Sequence, residues 1–101
     1  MVSLKKLQKQ IYANKIEKGF NTTDIYKEFC LIHEEVSEAC RAHYKKEYTV
    51  GEELADVAIY LLGLSEILNI NLEKEILRKV AKNKKREYKR VNGVMRRIKD
   101  A

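Results

Sequence analysis

Between residues 54 and 64 the chain carries apolar side chains on every side of a helix, because Leu54, Ala55, Val57, Ala58, Ile59, Leu61, Leu62 and Leu64 leave almost no polar face. A helix that is apolar all round is buried all round. Three short neighbours in one layer could hardly enclose it. One side is therefore expected to pack inside the protomer and another against a second copy, with a tightly enclosing monomeric bundle as the alternative. The chain has 101 residues and is expected to form one domain over 1–101, small enough to gain from such pairing.

The rest of the chain also favours helices. Proline is absent and only four glycines are present, whereas sandwiches and barrels of this length need many turn residues. Periodicity and capping signals predict helices at about 3–18, 23–46, 50–68 and 72–91 in an all-α, four-helix bundle-type protomer. Gly19 ends the first helix, Asn21 or Thr22 starts the second, and Asp24 falls in its first turn. Thr49 followed three residues later by Glu52 reads as a capping box for the third helix, and Asn71 as the cap of the fourth. Asn92-Gly93 is read as the stop of the fourth helix, leaving a short basic tail at about 92–101.

Several classes are excluded. The longest strongly apolar stretch, Val57 to Leu64, is far shorter than the roughly 20 residues of a membrane-spanning helix, so no membrane partner is expected. The N-terminal MVSLKKLQKQ lacks an apolar signal core, which predicts a cytoplasmic protein with Cys30 and Cys40 as free core thiols. Cys30-x-x-His33 and Cys40-x-x-His43 have zinc-like spacing, but on one helix the pairs are about 15 Å apart, too far to share an ion. There is no phosphate-loop motif and no nucleophile elbow.

Charge is uneven along the chain. The net charge is +6, yet Lys74 to Lys99 holds twelve Lys and Arg against two acids, while residues 1–73 hold nine against twelve. The basic end suits an anion, and the acidic part suits a cation.

Glu53 and Asp56 enter the apolar helix three residues apart, and the second predicted helix carries Glu35 and Glu38 at the same spacing. Each pair occupies one helix face. A short turn near Glu47 lets the two helices fold back antiparallel, with both pairs at similar distances from it, so the four carboxylates can meet. A solvated acidic stripe is disfavoured because Asp56 begins an apolar run, where an unliganded charge is costly. Four carboxylates without histidine or thiolate form a hard-oxygen site suited to Mg²⁺, with Mn²⁺ as a substitute. On the fourth helix Lys79, Lys82, Asn83 and Arg86 fall at i, i+3, i+4 and i+7, again one face.

The arrangement Glu34-Glu35-x-x-Glu38, fourteen residues, then Glu53-x-x-Asp56 resembles the EExxE…ExxD signature of the MazG-like all-α nucleoside triphosphate pyrophosphohydrolases. The segments GEELADVAIYLLGLS and LRKVAKNKKREY resemble the third and fourth helices of that superfamily, short dCTP pyrophosphatase-like members included. The likeness spans roughly Ile32 to Tyr88. It implies a homodimer or homotetramer that cleaves a nucleoside triphosphate between its α and β phosphates, in nucleotide-pool housecleaning. It also implies Mg²⁺ on Glu35, Glu38, Glu53 and Asp56, with Glu34 as a variable addition.

In that chemistry Glu35 or Glu38 could orient or deprotonate the attacking water, since clustered acids raise one another's pKa. Lys79, Lys82, Asn83 and Arg86 would grip the triphosphate. Tyr60, one turn after Asp56, offers stacking, and Tyr12, Asn14, Lys15 and Phe20 offer contacts to the base. The rival reading is a small basic helical module that binds nucleic acid through its C-terminal third. That rival leaves the four acids unexplained, and they would repel a polyanion.

Overall fold

A computed structural model describes residues 1–99 in the order α1 (Leu4–Lys18), α2 (Ile25–Tyr44), α3 (Val50–Ile67), α4 (Leu72–Lys85), β1 (Glu87–Val91) and β2 (Val94–Lys99). The four helices lie close to the stretches that periodicity predicts. Side-chain caps fix three starts: Ser3 accepts from Lys6 N–H, Asp24 from Lys27 N–H and Asn71 from Lys74 N–H. The cap of α2 is thus Asp24 itself, while Asn21 Oδ1 accepts from the Asp24 N–H and braces the approach. Thr49 makes no capping bond to α3, and its hydroxyl turns to Glu47 instead, so the expected capping box does not form.

The first three helices end in the same way. Gly19, Lys46 and Asn69 each take a left-handed backbone with φ of 72, 58 and 57°. The amides of Phe20, Glu47 and Ile70 reach back to the carbonyls of Lys15, Ala42 and Ser65. These are Schellman closures, which satisfy the last carbonyls while reversing the chain.

The turn at residues 45–49 folds α3 onto α2, and α1 packs on the other side of α3. Small residues set the approach. A Cβ on Gly63 would meet Ile11 Cγ2 at 3.3 Å, so α1 crosses α3 where α3 has no side chain. Gln8, fully buried on α1, holds the α3–α4 turn: its amide nitrogen donates to Ile70 O at 2.8 Å and Glu66 Oε1 at 3.2 Å, and its oxygen accepts from Leu72 N–H at 2.9 Å. Glu73 Oε1 in turn accepts from Leu4 N–H at 2.9 Å, setting a carboxylate on the positive N-terminus of α1.

Beyond that joint α4 stands clear and buries no residue. The radius of gyration is 16.9 Å, against about 13 Å for a compact chain of this length. Within the protomer α3 buries Leu62, Gly63, Leu64 and Ser65 but leaves Leu54, Ile59 and Leu61 exposed, so the enclosing monomeric bundle does not form. Cys30 and Cys40 are exposed in the protomer, contrary to the expected core placement.

The fourth helix is also shorter than predicted. Residues 87–99 form an antiparallel hairpin in place of a helix end and tail. Asn92 and Gly93, with φ of 50 and 79°, make the tight turn. Both central residues at positive φ match a type I′ turn, for which Asn-Gly is the strongest local signal.

Candidate metal and nucleotide site

Helices α2 and α3 bring carboxylate oxygens of Glu35, Glu38 and Glu53 to within 4.8 Å of one another. Burial, followed by the charges of Glu38 and Asp56, raises the Glu35 carboxyl above the ordinary glutamate value. Glu53 is raised by the same causes in the same order. Such crowding favours a cation or a shared proton. Asp56 is exposed and lies outside the group of three, but its charge reaches both Glu35 and Glu53. Glu34 is exposed and lines a shallow hollow with His33, Ser37, Glu38 and Arg41.

Beside the acids lies a mostly apolar cavity of about 370 Å³, lined by Gln10, Ile11, Asn14, Lys15, Phe20, Ile59 and Tyr60. That volume falls within the usual range for small-ligand sites. Asn14, Lys15, Phe20 and Tyr60 were expected near a base; Tyr12, also expected there, is not among the lining residues. Tyr60 links cavity and acids. Its hydroxyl pKa is raised by burial and then by the charges of Glu35, Glu28, Asp56 and Glu34.

Lys15 is drawn into an ion pair with Glu28 at 2.6 Å, both withdrawn from solvent, while Asn21 Nδ2 donates to the other Glu28 oxygen at 3.0 Å. Its ammonium is therefore engaged before any ligand arrives. Glu28 and Gln10 escaped the sequence reading. A buried acid in a first turn looks like an ordinary helix-start acid until its partner on another helix is known.

Lys79, Lys82 and Asn83 lie on α4, whereas Arg86 follows the helix as its extended C-cap and so leaves the single helical face that spacing predicts; its charge still reaches Lys79, and its Nη1 donates to Asn83 Oδ1 at 2.9 Å. Arg86 Nε is shielded from solvent and meets no acceptor among the described residues. The two charge groups sit on different parts of the protomer: the acids lie on α2 and α3, whereas α4 packs chiefly on α1. No described helix is long and apolar enough to cross a membrane.

No family model and no curated protein matches the chain. Among solved structures it is similar to a cyanophage S-2L MazG-like pyrophosphohydrolase bound to dGDP and three catalytic Mn²⁺ ions per active site. The identity is 25%, the alignment covers 98% of this chain and 100% of that one, and the TM-score is 0.71.

Proposed function

We propose that the chain is a MazG-like nucleoside triphosphate pyrophosphohydrolase that hydrolyses dNTPs or non-standard NTPs to a nucleoside monophosphate and pyrophosphate, with Mg²⁺ or Mn²⁺ on Glu35, Glu38, Glu53 and Asp56. One observation carries this reading. Three carboxylates from two helices converge within 4.8 Å, with the chemistry of a hard-cation site, next to a cavity sized for a nucleoside. The dGDP and Mn²⁺ of the phage relative support the same ligand classes.

Glu35, Glu38, Glu53 and Asp56 would hold the divalent cation, whose charge would neutralise part of that of the triphosphate and ease the approach of water to phosphorus. Glu35 or Glu38 would orient that water and take its proton. As the water oxygen bonds to phosphorus, the anhydride bond between the α and β phosphates breaks. Asn14 and Gln10, one turn apart on α1, offer amides to a base edge, and Phe20 and Tyr60 offer ring faces.

Lys79, Lys82, Asn83 and Arg86 bind the phosphates. Since α4 stands away from the acids of its own protomer, these residues serve the site of a second copy in a homodimer or homotetramer. That assembly also covers the open face of α3.

The test is pyrophosphate release from a panel of dNTPs and NTPs with Mg²⁺ or Mn²⁺, coupled to inorganic pyrophosphatase, against an EDTA control. Metal-dependent appearance of the nucleoside monophosphate is expected. Nucleoside diphosphate and phosphate as products, or no turnover of any nucleotide, would overturn the proposal.

A further inference from the structure

All but the first two residues of the C-terminal hairpin lie beyond the motif-bearing segment, and the reaction described above does not use them. Two-stranded hairpins are marginal in water on their own, and all of its residues are exposed in the protomer. Lys89 sits directly opposite Arg96, an arrangement of like charges that weakens a ladder. An anion close to such a strand pair would offset that repulsion.

Its two faces differ in where they point. Arg86 has extended backbone angles (φ −70°, ψ 143°) and continues into β1, so Arg86 and Tyr88 project to one side. Arg97 pairs across the ladder with Tyr88 and shares that side, whereas Arg96 pairs with Lys89 on the opposite one. The register slips between Glu87 and Tyr88, just where Arg97 pairs with Tyr88, three residues past the end of α4. Irregularities of this kind re-aim side chains.

We infer that Arg97 is a fourth cation of the phosphate-binding face formed by Lys79, Lys82 and Arg86, contacting the oligophosphate of a nucleoside triphosphate. The inference rests on the phosphate role proposed above for α4. The charge of Arg97 reaches Lys79 together with those of Arg86 and Lys82 and helps to lower its pKa. The shielded Arg86 Nε, a donor without an acceptor, marks where an anionic oxygen is wanted. The neighbouring cations disfavour the charge on Lys79; a bound polyphosphate reverses that cost. Arginine suits the task because its forked donors take two phosphate oxygens at once.

The experiment titrates full-length protein with inorganic tripolyphosphate in EDTA, which reads the cationic face without the metal site, and measures kcat/KM in parallel. Arg97→Ala should weaken tripolyphosphate binding and lower kcat/KM by roughly ten- to a hundredfold, the loss of one charge-assisted contact. Arg97→Lys should fall in between, and Arg96→Ala should match wild type. The lysine variant keeps the test decisive where the alanine variant disturbs the hairpin. Equal losses in the Arg96 and Arg97 variants, or none in either, overturn the assignment. So does submicromolar duplex DNA binding that both arginines support equally. Arg97-dependent tripolyphosphate binding in a protein that hydrolyses no nucleotide keeps the assignment and rejects the enzymatic reading.

Discussion

Lys15 Nζ lies 2.6 Å from Glu28 Oε1 and 5.4 Å from the centroid of the Tyr60 ring, so one buried charge pair joins α1, α2 and α3 beside the cavity. Removing one partner strands the other charge in a site with little solvent. Lys15→Met is expected to cost about 3–5 kcal/mol in urea unfolding, and the double variant Lys15→Met with Glu28→Leu less than that. A double variant less stable than the single one would show that the pair is a net stabiliser in this core.

Glu38→Gln and Asp56→Asn should each abolish Mg²⁺-dependent hydrolysis while circular dichroism stays helical, since the amides keep the shape but lose the charge. More than a tenth of wild-type activity in both would remove these residues from the site. Asp56 carries the sharper question, because it stands outside the trio whose oxygens meet.

The metal-free protein should show a pH-dependent cost at the acid cluster. Burial and the neighbouring Glu38 and Asp56 raise Glu35 above its ordinary value of 4.5, so near and above that value the folded state binds more protons than the unfolded one. Stability then falls as pH rises through the interval, because the ionised carboxyl is disfavoured in the fold. Glu35→Gln should melt higher than wild type at neutral pH without metal, and the difference should shrink as pH falls below 4.5. A variant that melts lower at neutral pH would reverse the sign and refute the account.

Light scattering should give two or four times the chain mass of 11.9 kDa at micromolar concentration. The protomer leaves Phe29 and Val36 on α2, Leu54, Ile59 and Leu61 on α3, and Leu77 and Val80 on α4 exposed, apolar side chains that a second copy would cover. A mass of one chain would remove the basis for a site shared between copies.

Local patterns in the amino-acid sequence determined the helices and the two acid pairs. Spacing of three places two carboxylates on one helix face whatever the helix packs against, and Asp24 and Asn71 cap through bonds made within a few residues. The hairpin was also written locally, in Asn92-Gly93 between Val91 and Val94, but the same dipeptide is a good helix stop and the basic residues hid the strand alternation. Tertiary structure alone decided the rest. The Lys15–Glu28 pair depends on which faces α1 and α2 turn inward, a contact between helices that neither pattern contains. The direction of α4 depends on Gln8, whose amide meets the chain again 58 to 64 residues later, and that direction sets its cations apart from the acids of the same protomer. Periodicity says which side of a helix is apolar; only the packing of the helices says which neighbour that side meets.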